Sequence, residues 1–227
     1  MDADDIISDT FIEAQVNRID RRVNVRASAS WGRFYNDDPA TFKLHTNIIE
    51  GNNEPVKWLV TALKKNNAMM QCAIWLIPRN VLDRSGLWDE ELSLINDFEF
   101  FCRVLLHADK ILFTHGAVLY YRSGLSNSLS TLKSRKGLLS AYNSIYKGTS
   151  YLLQKDNSSY TRLQVANCFQ NYIFTFYPYQ PDLIAAAEKK ITELGGADAK
   201  FQAGGYTSFL RKIIGWKWTK KIKLLFS

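Results

Sequence analysis

The chain has 227 residues, 46% of them hydrophobic and 13% aromatic, which is enough apolar material for a sizeable core and excludes a disordered chain. Three cysteines, Cys72, Cys102 and Cys168, are odd in number, far apart and set in apolar runs, so neither a disulfide framework nor a zinc site is expected, and a reducing compartment fits. The net charge of +7 is concentrated at the end of the chain, where Arg211, Lys212, Lys217, Lys220, Lys221 and Lys223 follow Tyr206 without an acidic residue; that confinement argues against a nucleic-acid groove across the whole chain.

The chain opens on Asp2, Asp4 and Asp5, the opposite of the basic start of a signal peptide. No uncharged apolar run approaches the roughly 18 to 20 residues that span a bilayer. A cytoplasmic protein, free or peripheral at the inner membrane face, is the expectation. Ser8 or Asp9 can cap a short helix through Phe11 and Val16. Val23 to Tyr35 is rich in β-branched and aromatic residues and reads as extended. Turn residues at Asn36-Asp37-Asp38-Pro39 and at Gly51-Asn52-Asn53-Glu54-Pro55 bracket an irregular loop.

Val56 to Lys65 has helical spacing, and the apolar run Ala73 to Pro78 has the length of a buried strand. Gly86 and Trp88 mark a turn, Asp97 to Leu106 reads as a helix, and Ile111 to Tyr121 as one or two strands around Gly116. Helix alternating with strand indicates an α/β sheet. Beyond Leu132 only helical stretches remain, at Lys136 to Leu153, Leu163 to Tyr177, Asp182 to Leu194 and Phe209 to Leu225. The expected organisation is a sheet-bearing part over 1–133 and a helical extension over 134–227.

Two acidic motifs carry the possible chemistry. Asp2-Ala3-Asp4-Asp5 sets carboxylates at alternate positions of a loop, able to give hard oxygen ligands to Mg²⁺ or Mn²⁺ bridging a diphosphate, or simply to complement the dipole of the following helix. Gly86-Leu87-Trp88-Asp89-Glu90-Glu91 leads to Asn96-Asp97-Phe98-Glu99 and Arg103. Asp97 in the first turn of a helix is placed to act as a general base toward a hydroxyl; the plainer alternative makes Asn96 or Asp97 an N-cap and Glu99 with Arg103 an i, i+4 pair.

In order and spacing the two motifs resemble those of family 2 glycosyltransferases of the GT-A fold, where an Asp-x-Asp loop precedes a helix and a Gly-x-aromatic-Asp-Glu turn leads to an acidic pair. The resemblance extends through Trp75-Leu76-Ile77-Pro78-Arg79 and Val118-Leu119-Tyr120-Tyr121-Arg122 and covers Met1 to about Ser130. It implies an incomplete GT-A, Rossmann-like mixed sheet lacking the nucleotide-binding half, from a fragment, a late-called start or a decayed copy. The activity implied is inverting transfer of a sugar from a nucleotide-sugar donor to a hydroxyl of a glycan or lipid-linked acceptor.

The resemblance further implies roles for single residues. Asp2 and Asp4 would hold the divalent metal and the ribose-diphosphate, Asp97 would be the base, and Arg122 with Ser126 and Ser128 would close over the phosphates or form an ordinary surface loop. Asn96 stands where the family commonly has an acid. A non-catalytic remnant or interaction module keeping the acceptor-side fold is the alternative. His45, His107 and His115 lack ligand spacing and receive no metal role. In the tail, Leu210, Ile213, Ile214, Trp218, Ile222 and Leu225 fall on one helical face with the cations largely elsewhere, suiting either an anionic membrane surface or the chain's own body. No nucleic-acid partner is expected.

Overall fold

The computed structural model describes residues 4–19, 25–64, 71–124, 134–202 and 204–225. Its organising elements are two long strands, β2 (Val25–Tyr35) and β6 (Lys110–Ser123), which run parallel with Val25 opposite Lys110 and Tyr35 opposite Ser123. Four shorter strands complete a mixed sheet among the described residues. β1 (Ile6–Ile7) and β4 (Asn52–Asn53) pair antiparallel with β6, whereas β3 (Asp38–Leu44) and β5 (Trp75–Leu76) pair antiparallel with β2. With helices interleaved along the chain, the class is α/β, as the alternation in the sequence implies.

The turn expected at Asn36-Asp37 closes a hairpin, and part of the stretch expected to be an irregular loop beyond it is strand β3. Asn36 and Asp37 both take φ 57°, the left-handed geometry that a two-residue turn needs to match the twist of its strands, and Tyr35 pairs directly with Asp38. Pro39 is tolerated because β3 is an edge strand. Ala73 to Pro78 also departs from its sequence reading. A short 3₁₀ turn, Cys72–Ile74, started by the Gln71 side chain accepting from the Cys72 amide, takes up the start of the apolar run and leaves only Trp75–Leu76 as strand.

Helix α1 (Phe11–Ile19) follows β1, and Ser8 does not cap it through its side chain. The Ser8 hydroxyl instead donates to the Gly116 carbonyl (3.2 Å) and accepts from the Val118 amide (3.1 Å), fastening the start of the helix to β6. β6 is one continuous strand despite Gly116, whose φ of 84° absorbs a local irregularity in the pairing with β2. Helices α2 (Pro55–Lys64), α3 (Arg79–Ser85) and α4 (Asn96–Leu105) follow. The seven-residue α3 has no counterpart in the sequence reading, which its short apolar repeat could not signal.

Helices α5 (Arg135–Lys155), α6 (Ser159–Phe176) and α7 (Pro181–Leu194) lie close to the expected positions. They pack on the sheet-bearing part. One continuous core runs from Trp31, Trp58 and Leu119 through Phe98 and Phe101 to Leu138, Phe169 and Leu194, so the sheet and the helical region share their apolar interior. Gly148 of α5 lets the helix approach α4 closely. A β-carbon built there lies 2.9 Å and 3.0 Å from the ring of Phe98, itself 1% exposed, and 3.2 Å from Cys102 Sγ. We expect Gly148→Ala to destabilise the chain by roughly 1–3 kcal/mol, read as a lower urea midpoint, because the overpacking outweighs alanine's better helix propensity.

The last helix, α8 (Tyr206–Leu225), is not one straight amphipathic rod: Gly215 takes φ 75° and ψ 167° and breaks it in two. No helix among the described residues is long and apolar enough to cross a membrane. The three cysteines are free thiols.

Candidate active site at the carboxyl end of the sheet

Because β2 and β6 are parallel, their carboxyl ends lie at the same end of the sheet, the end at which open α/β sheets bind ligands. β1 enters antiparallel to β6, with Ile6 opposite Tyr120, so Asp4 and Asp5 precede it at that same end. Asp2 lies outside the described residues, as do Ser126 and Ser128. Asp4 is partly exposed in a turn and offers hard oxygen donors of the kind Mg²⁺ uses, which takes one or two carboxylates and completes its shell with water and phosphate oxygens. Among the described residues no cluster of three or more metal-ligating side chains occurs.

Asp97 lies in the first turn of α4, which leads into β6 through the short turn 106–109. Neither Asn96 nor Asp97 is the N-cap. That position belongs to Ile95, held at φ 60°. A β-branched residue in the left-handed region is a true outlier, costing roughly 1–3 kcal/mol, and persists only where its surroundings impose it.

Those surroundings come from α5. Ser144 Oγ donates to the Ile95 carbonyl (2.6 Å) and accepts from the Glu99 amide (3.1 Å). Ser140 Oγ accepts from the amides of Ser93 (2.7 Å) and Leu94 (3.0 Å) and donates to the Leu94 carbonyl (3.2 Å). Two hydroxyls thus fix the segment that aims Asp97. Asp97 Oδ1 accepts from the Phe98 amide (2.9 Å), yet burial dominates and pushes its carboxyl up from 3.8 to about 6.

The other side of the turn is clamped by Arg103. Its guanidinium binds Glu99 (2.7 Å and 3.2 Å) and donates to the carbonyls of Ser85, Gly86 (3.0 Å) and Leu87 (2.9 Å). Glu99 is 2% exposed, so this is a buried ion pair and not the surface pair that the spacing alone suggests. Gly86 takes φ 83°, and Trp88 stacks on Phe100 with ring centres 4.0 Å apart. Asp89 pairs with Lys147 of α5 (2.6 Å), which holds its carboxyl below the usual range. The glycine-aromatic-acidic turn is therefore welded to both α4 and α5.

The sequence reading missed a further cluster at the ends of β2 and β6. Trp31 stacks on His45 at 4.3 Å and meets Tyr121 edge-on. The Arg33 guanidinium lies over both Trp31 (5.6 Å) and Tyr121 (5.2 Å) and donates to Ser123 Oγ (2.8 Å). Burial, with the nearby Arg33 charge, lowers the pKa of His45, favouring a neutral ring whose Nδ1 accepts from the Asn47 amide. The signal was present as an alternation: Trp31 with Arg33 and Tyr121 with Ser123 occupy one face of adjacent parallel strands. Arg122, between Tyr121 and Ser123, points to the opposite face, where it pairs with Asp37 at 3.3 Å and covers Phe34.

No family model, curated protein or solved structure matches the chain.

Proposed function

We propose that the chain is the acceptor-side part of an inverting glycosyltransferase of the GT-A class, transferring a sugar from a nucleotide-sugar donor to a hydroxyl of a glycan or lipid-linked acceptor. The observation that supports this most is Asp97: a half-buried carboxylate with its pKa raised to about 6, in a helix mouth braced by α5, matches what a general base needs near neutral pH. The order of the motifs adds to it. The acidic loop lies at the carboxyl end of the parallel strand pair, and the helix that carries Asp97 is the one that leads into β6.

In this mechanism Asp97 accepts the proton of the acceptor hydroxyl as its oxygen attacks the anomeric carbon. The new carbon–oxygen bond forms on one face while the bond to the diphosphate oxygen breaks on the other, and its electron pair leaves with the nucleoside diphosphate. A divalent cation held by Asp2 and Asp4 would supply positive charge to the departing diphosphate. Arg33, on the strand face opposite to Arg122, is the fixed guanidinium we assign to the phosphates; Arg122 braces the β2–β3 turn through Asp37.

A donor-binding measurement tests the assignment. In the complete enzyme, with Mn²⁺ and a panel of nucleotide-sugars, Asp4→Asn and Arg33→Met are each expected to weaken donor binding about tenfold or more, whereas Asp97→Asn leaves it nearly unchanged. Donor binding unaffected by either of the first two substitutions would favour the non-catalytic interaction module.

A further inference from the structure

We infer that α8 is a docking surface for an anionic lipid bilayer, independently of whether the sheet carries a transferase. The second half of α8 is anchored to the body of the protein. Trp216 packs edge-on against Phe174 (4.9 Å) and Tyr177 (5.3 Å), Thr219 is 1% exposed, and Lys220 donates to the carbonyls of Phe174 and Thr175. These contacts satisfy the inward side of the helix and fix which residues face out.

What faces out is apolar and cationic together. Phe209, Ile213 and Trp218 are 60%, 64% and 62% exposed, among the most exposed large apolar side chains of the chain. Phe209 and Ile213 are one helical turn apart and share a face. Exposed Lys212, Lys221 and Lys223 accompany them, with Lys221 5.0 Å over the Trp218 ring, whereas Lys217 pairs with Glu188 of α7 at 3.4 Å. The segment from Tyr206 onward contains no acidic residue.

An apolar surface offered to a protein core would not be ringed with cations, and a nucleic-acid surface would not need Phe209 and Ile213. Aromatic and aliphatic side chains that enter the acyl boundary, with lysines at headgroup level, are the composition of an interfacial helix on an anionic leaflet. The break at Gly215 serves this geometry, because residues 216–223 stay fastened to the body while residues 206–214, held through Arg211 to the Phe201 carbonyl (2.6 Å), run in a different direction.

Co-sedimentation of the full chain with large vesicles tests this. Vesicles of phosphatidylcholine containing phosphatidylserine are expected to bind the chain at least tenfold more tightly than phosphatidylcholine alone, with binding falling as salt is raised. The exposed-site double variant Ile213→Glu with Trp218→Glu is expected to lose at least tenfold of that binding with an unchanged far-UV spectrum. Equal binding of both proteins, or no preference for the anionic vesicles, would overturn the proposal. So would a dimer on size-exclusion that the double variant converts to monomer in the absence of lipid, since the face would then belong to a second copy of the chain.

Discussion

Asp97→Asn is expected to lower kcat of the complete enzyme by about 10²- to 10⁴-fold while making this chain more stable at neutral pH. Burial lifts the carboxyl from 3.8 to about 6, so the folded chain holds this proton more tightly than the unfolded chain does. The favourable contribution is complete below about pH 4 and is lost as pH rises through about 6; above that, the ionised carboxylate costs the folded state something of order 2–3 kcal/mol. Asparagine keeps the oxygen that accepts from the Phe98 amide and carries no charge to desolvate. Urea midpoints should therefore favour the variant at pH 7.5 and converge with wild type near pH 4. Wild-type kcat/KM should fall on the acid side through about pH 6, as the base becomes protonated. Full turnover in a stabilised variant would mean that the carboxylate is merely strained.

Arg103→Met should be the most destabilising single change near the site, by about 3–5 kcal/mol, because it strands Glu99 as an uncompensated buried charge. It also removes the donors to Ser85, Gly86 and Leu87 that lock the turn against α4. Arg103→Lys retains a charge but cannot reproduce the planar fork that serves a carboxylate and three carbonyls, so an intermediate loss is expected. The double variant Arg103→Met with Glu99→Leu should recover much of the stability, which separates the charge effect from the loss of the turn contacts. Equilibrium urea unfolding of the four proteins measures each part.

Much of the architecture was legible because periodicity reports burial: Val56 to Lys65 and Asp97 to Leu106 gave helices within a residue of α2 and α4, and the long strands were evident from their β-branched and aromatic content. The turn at Asn36-Asp37 was legible, whereas strand β3 beyond it was not, because Asp38–Leu44 is largely exposed and carries no apolar alternation. For the site, the sequence identified Asp97 as a helix-mouth carboxylate but not what holds it there. Ser140 and Ser144 lie more than forty residues downstream in sequence, and a serine in a helix carries no sign of the distant backbone it will bind. Arg33 was overlooked for a similar reason, since its significance arises only when β2 lies beside β6.

The hydroxyls of Ser140 and Ser144 also bear on how this chain can be recombined with others. A chimera joined after β6, at the seemingly natural seam near residue 133, would separate the segment 93–95 from the helix that moulds it and leave four backbone groups seeking new partners. Exchange beyond Lys155 would instead carry the whole brace with its payload, so the heritable module includes the first helix of the region that looks, by composition, like an add-on.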